Sequence, residues 1–102
     1  MTIVSTTLVR PLSAESWPDL QKQLAKACEI VRRHGGENVT VLASVVGGPL
    51  TNTLAVLSTA ENFARYGEVS QAVYGDPEMQ ALMVETGKNA TWETYLSQTI
   101  EV

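Results

Sequence analysis

The chain has 102 residues, 44% of them hydrophobic and 18% charged, with a formal net charge of −4. That composition fits one folded domain over residues 1–102 and excludes a disordered chain. Its basic residues are scattered, with only Arg32-Arg33 adjacent, which argues against nucleic acid and membrane surfaces as partners because both reward clustered positive charge.

Cys28 is the single cysteine. It excludes an intrachain disulfide and a multi-cysteine metal site, and is expected to be a buried thiol. No apolar run approaches the ~18 residues of a membrane span. The opening MTIVSTTLVRPL lacks a basic segment followed by an apolar one, so a cytoplasmic location is expected. A chain this short buries a limited core, which makes self-association worth testing against the pattern.

Thr2 to Arg10 is rich in β-branched residues and alternates, with Ile3 and Val9 on one parity and Val4 and Leu8 on the other; this predicts a strand, ended by Pro11. Ser16-Trp17-Pro18-Asp19 predicts a helix start, Ser16 capping and Asp19 meeting the positive end. Leu20, Leu24, Ala27 and Val31 then recur at helical spacing, and Gly35-Gly36 predicts a left-handed stop, giving a helix over about residues 16–34. Asn38 to Val46 predicts a second strand, Gly47-Gly48-Pro49 a turn, and Thr51 to Leu57 a third strand forming a hairpin with the second.

Ser58-Thr59-Ala60-Glu61 matches a capping box and predicts a second helix from about Thr59 to Tyr74, with Phe63, Tyr66, Val69 or Ser70, and Val73 inward. Gly75-Asp76-Pro77 breaks it. Asp76 should cap a short helix bearing Met79, Leu82 and Met83 and closed by Gly87. Trp92 to Val102 predicts the last strand. Trp17 and Trp92 are expected to close the two ends of the fold as packing residues.

The order β-α-β-β-α-β with right-handed crossovers predicts an α+β, ferredoxin-like sandwich: a four-stranded antiparallel sheet with its helices on one face. A sheet open to water on its other side should alternate apolar with polar. Strands two and three instead carry Leu42 and Val46 opposite Val39, Val41 and Val45, and Leu54 and Val56 opposite Ala55 and Leu57. Helices cover one face. The simplest cover for the other is an identical sheet, which predicts a homodimer through the sheet face.

In this element order, and in the stretch from Asn62 to Leu82 where an aromatic-bearing helix is followed by Gly-Asp-Pro-Glu-Met-Gln-Ala-Leu, the chain resembles the dimeric α+β barrel superfamily. That group includes antibiotic-biosynthesis monooxygenases, NIPSNAP-like proteins and stress-responsive barrel proteins with polyketide cyclases among them. The resemblance implies a face-to-face homodimer and a pocket in each subunit between sheet and helices. It also implies chemistry without metal or organic cofactor, carried by His, Tyr, Trp, Asn or Ser side chains. Where the monooxygenases carry an acidic residue and Trp at the end of strand three and a His in helix two, this chain has Val56-Leu57-Ser58 and Tyr66. Where the cyclase-like branch has a His on strand one, this chain has none.

The candidate site follows. Tyr66 and the lone histidine, His34, are the candidate catalytic groups, and Tyr74, Phe63, Trp92 and Ser44 the candidate ligand-binding ones. At the end of the first helix His34 also has a structural role open to it, as a cation favoured by the helix dipole. Ser5, Thr7, Ser44, Thr53, Ser97 and Thr99 place hydroxyls inside otherwise apolar strands, as a polar-lined cavity would require. One histidine and no spaced acidic cluster exclude a three-histidine metal site.

The expected function is binding of a small hydrophobic or aromatic molecule. The activity would be cofactor-independent oxygenation, cyclisation or isomerisation of an aromatic or polyketide-like compound. The alternative is a dimeric ligand-binding or interaction module without chemistry. An RNA-binding domain shares the element order but not the charge or paired strand aromatics. A cavity of roughly a few hundred Å3 reaching Tyr66 would support ligand chemistry, and a solid core would exclude it.

Overall fold

The computed structural model describes residues 1–44, 48 and 51–102. Val45 and Val46 of the predicted second strand, and Gly47 and Pro49 of the predicted turn, lie outside the described residues. The elements are β1 (Ile3–Pro11), α1 (Trp17–Arg33), β2 (Glu37–Ala43), β3 (Leu54–Ala60), α2 (Phe63–Gly75), α3 (Pro77–Thr86) and β4 (Ala90–Gln98), and a 3-10 turn at Ala14–Ser16 precedes α1. The strands form one antiparallel sheet in the order β2-β3-β1-β4, which is the ferredoxin-like arrangement expected.

The register assigns the faces. Ile3 pairs with Ala60 and Gln98, Ser5 with Ser58 and Leu96, Thr7 with Val56 and Thr94, and Val9 with Leu54 and Trp92. Ile3 and Val9 are fully buried, so this parity faces the helices. Trp92 is therefore on the helix side. Tyr95, opposite Thr6, is on the outer face with Leu8, Leu42, Ala55 and Leu57. Among the described residues no helix covers that face: Leu42 and Tyr95 are each 51% exposed. Arg10 reaches across it to Glu93 at 2.7 Å, and the Tyr95 hydroxyl donates to the same carboxylate.

Several predicted boundaries move, each because pairing overrides a local signal. β3 runs on to Ala60, since β1 offers partners as far as Ile3. Ser58 and Thr59 are therefore strand residues, and the predicted capping box does not form. Asn62 caps α2 instead, its side chain accepting from the Arg65 N–H at 2.8 Å. The later start leaves Phe63 as the first helical residue, 55% exposed rather than inward.

β4 ends at Gln98 because its partner ends at Ile3, leaving Ile100 and Val102 exposed. Ser16 makes no cap: it is already helical in its backbone, and its hydroxyl meets that of Ser13 at 3.3 Å. The other end of α1 follows the expectation. Gly35 has φ +97°, and Gly36 N–H returns to the Val31 carbonyl at 2.9 Å. A Cβ on Gly36 would lie 2.4 Å from Val31 Cγ1, so the tightness of the turn selects glycine there.

The core divides in two. Ala27, Ile30, Val69, Val73, Met79 and Leu82 join α1 to α2 and α3. Val9, Leu20, Leu24, Leu54 and Ala90 join α1 to the sheet. Trp17 and Trp92 both pack on this second cluster rather than at opposite ends. Cys28 is buried, as expected, and burial pushes its thiol pKa up.

Candidate functional site

Between the two halves of the core lies a cavity of about 110 Å3. Its floor is the helix side of the sheet, contributed by Ser5, Thr7, Val56, Ser58 and Trp92. Its roof is Tyr66, Val69, Ser70, Val73 and Tyr74 of α2, continued by Met79 and Met83 of α3. Ala27, Val31 and Gly36 close the α1 side. The core is thus not solid beneath Tyr66, but the space is smaller than the few hundred Å3 set as the mark for a drug-sized ligand. Among the described residues no charged side chain lines it. The groups available for chemistry are hydroxyls: two phenols, serines and threonines.

Tyr66 and Tyr74 stand eight residues apart on α2 and both reach the cavity. Burial pushes the Tyr74 phenol above its ordinary pKa, the neighbouring Tyr66 adds to this, and a hydrogen bond with Thr94 opposes it. Thr94 is itself held by Thr7, hydroxyl to hydroxyl at 2.9 Å. The Thr7 and Thr94 hydroxyls thus join β1 to β4 on the helix side of the sheet, near a phenol that is half exposed. Such phenols can donate to a carbonyl or developing oxyanion.

Of the residues singled out from sequence, Tyr66, Tyr74 and Trp92 line the cavity, whereas His34, Phe63 and Ser44 do not. Ser44 follows the end of β2, its N–H bonded to the Thr53 carbonyl at 3.0 Å. Ser5 and Thr7, noted as strand hydroxyls, reach the cavity; Thr53 is instead fully buried beside β3, and Ser97 is on the outer face opposite Val4. Sequence patterning missed Ser58, because it looked like a helix cap. The signal that could have found it is the length of β1, which requires an equally long partner.

His34 is the C-cap of α1, and its Nε2–H donates to Asp76 Oδ2 at 2.7 Å. Asp76 sits at the α2–α3 junction, where its other oxygen accepts from the Glu78 N–H at 2.8 Å, and Arg33 reaches it at 3.4 Å. Lys26 pairs with Glu78 at 3.1 Å alongside. This cluster ties the end of α1 to the hinge between the two roof helices. The His34 bond, the capping N–H and the Arg33 charge together hold the Asp76 carboxyl below its usual pKa.

A lowered folded-state pKa stabilises the fold at pH above the ordinary carboxylate value of about 3.9, and that contribution disappears as pH falls through the lower folded value. Urea unfolding should therefore show Asp76→Asn to be less stable than the parent at about pH 6, with the difference shrinking toward about pH 2.5. A difference that grew on acidification would contradict this assignment.

Among the described residues no group of three or more His, Cys, Asp or Glu is placed to hold a metal ion. Likewise, no helix among them is long and apolar enough to cross a membrane.

No protein-family profile matches the sequence, and no curated protein matches it either. Solved structures do. SnoaB, a cofactor-independent oxygenase from Streptomyces nogalater, superposes with a TM-score of 0.75 at 11% identity, over 99% of this chain and 95% of that one. A NIPSNAP family protein from Agrobacterium tumefaciens gives a TM-score of 0.82 at 12% identity, over 99% and 95%. A NIPSNAP domain protein from Burkholderia xenovorans gives 0.78 at 13%, over 96% and 94%. At these identities the likeness is one of fold, and it spans nearly the whole of every chain compared.

Proposed function

We propose, from a fold shared with a cofactor-independent oxygenase, that this chain binds a small aromatic or otherwise hydrophobic molecule beneath Tyr66 and acts on it without a cofactor. The observation that carries this is the cavity: two phenols, serines and threonines line an otherwise apolar space between the two halves of the core. A folded core of this size gains stability from close packing, so an interior gap lined with hydroxyls costs contacts that a ligand would restore.

Tyr66 is the proposed catalytic group, donating to an oxygen that gains negative charge as the substrate reacts. Tyr74 and Trp92 hold and orient the ring, and exclusion of water strengthens each polar contact. His34 is engaged by Asp76 outside the lining and takes no part in this scheme.

The working unit is proposed to be a two-fold dimer closed by the outer sheet face. Leu8, Leu42, Leu57 and Tyr95 form an apolar surface there, with Arg10 and Glu93 paired at its side, and burial against a second copy is its simplest cover.

One specific observation favours the alternative of binding without chemistry: among the described residues the lining holds no histidine, carboxylate or lysine. A thermal-shift and calorimetric screen of aromatic and polyketide-like compounds tests binding. Oxygen uptake with each compound that binds then separates the two readings. Tyr66→Phe is expected to abolish turnover while weakening binding by about tenfold or less, the worth of one hydrogen bond. Turnover that survives the substitution would remove Tyr66 from its role, and a screen with no binder would refute the proposal.

A further inference from the structure

The cavity's polarity is uneven, and the sheet register shows how. Along the floor, Ala60 is followed by the pair Ser5 with Ser58, then by Thr7 with Val56, then by Trp92 in the row of Val9. The surface changes from hydroxyl to apolar within two rows. Directly opposed residues in an antiparallel pair hold their Cβ atoms about 4.5–5.5 Å apart, so the two serine hydroxyls stand side by side. Among the described residues no protein group hydrogen-bonds either of them, and neither is sealed from the cavity. They are donors and acceptors without an internal partner, two rows along the sheet from the Trp92 ring.

Two further features narrow what such a space accepts. The first is charge. Among the described residues no ionised side chain lines it, and Arg65, next to Tyr66 in sequence, lies over Gly35 and pairs with Glu68 at 3.1 Å. An anionic ligand would be stripped of water with no counter-ion, which is strongly unfavourable. The second is size. At about 110 Å3 the cavity is of the order of one aromatic ring; an apolar cavity of roughly 150 Å3 holds benzene. Tyr74, which lines the cavity, is half exposed, so the space opens to solvent on that side.

Resting on the small-molecule function proposed above, we infer that the ligand is an uncharged single-ring compound oxygenated along one edge, of the phenol or catechol class. Its oxygens hydrogen-bond to Ser5 and Ser58, and its ring lies toward Val56 and Trp92. The paired serines set specificity by favouring two neighbouring oxygens over one, and the apolar end sets it by rejecting charge.

The test is calorimetric titration of the full chain with catechol, phenol, toluene, benzoate and a three-ring aromatic ketone, with the Trp92 indole followed by NMR. Catechol should bind most tightly and shift the Trp92 signal, and benzoate should bind at least tenfold more weakly than phenol. Ser5→Ala and Ser58→Ala should each weaken catechol by about three- to tenfold and leave toluene unchanged. Benzoate binding as tightly as phenol, or serine variants that bind catechol as the parent does, would overturn the inference. So would tighter binding of the three-ring ketone than of catechol, although that result would leave the small-molecule function standing. Failure of all five probes to bind or to shift Trp92 would overturn the inference, and the small-molecule function would then stand or fall on the wider screen.

Discussion

Replacing Leu24 by alanine is expected to lower the stability of the folded chain by about 3 kcal/mol, within the range seen for buried leucines. Leu24 is 1% exposed and packs among Val9, Leu20, Leu54 and Ala90, with both tryptophans against the same cluster. With Leu20, it holds α1 against the centre of the sheet. Truncation removes the transfer energy of the side chain and leaves a void that β1 and β3, locked by their ladder, cannot collapse to fill.

For a domain whose whole stability is on the order of 5–15 kcal/mol, that loss is large. It should move the urea midpoint down by about 1–3 M at an unchanged slope. Leu12→Ala provides the contrast: Leu12 is 62% exposed, and a change of within about 0.5 kcal/mol is expected. Equal effects of the two substitutions would mean that the core is not organised as described.

Leu57→Glu is expected to convert the proposed dimer to monomer. Leu57 lies on β3, one of the two central strands, on the outer face, opposite Thr40 on one side and Thr6 on the other. In a two-fold interface every substitution is met twice. Each introduced carboxylate would be buried against apolar surface without a partner, at a cost of several kcal/mol per charge. The dissociation constant should rise by about a thousandfold or more, since each 1.4 kcal/mol is a factor of ten. Sedimentation at micromolar concentration reads this directly, and circular dichroism should show the variant still folded, because in the single chain this face is reached by water. A parent protein that sediments as a monomer would rule out the dimer outright.

The element order was legible because it is written in periodicities. Ile3 and Val9 alternate, Leu20, Leu24 and Ala27 recur with helical spacing, and Asp76-Pro77 caps and opens α3 as local rules require. The ends of elements were less legible. Ser58 satisfied a capping rule and lost to the ladder, since β1 had partners to offer as far as Ile3. Phe63 looked inward on helical spacing and turned outward once the helix began at that residue. His34 was a candidate base on residue type alone. Its partner Asp76 is 42 positions away, a distance over which no local pattern speaks.

By itself, then, the sequence determined the α+β class, the four strands, the glycine stop at Gly35 and an apolar pattern on both sides of the sheet. All of these depend on near neighbours in the chain and on the chain's own chemistry. Only the tertiary structure decided that Trp92 faces the helices and Tyr95 the outer surface. It alone decided that Ser5 stands beside Ser58, and that the space beneath Tyr66 is open but of the order of one ring. Those facts depend on register and on how well two halves of a core meet, and strand pairing sets both between residues far apart in the chain.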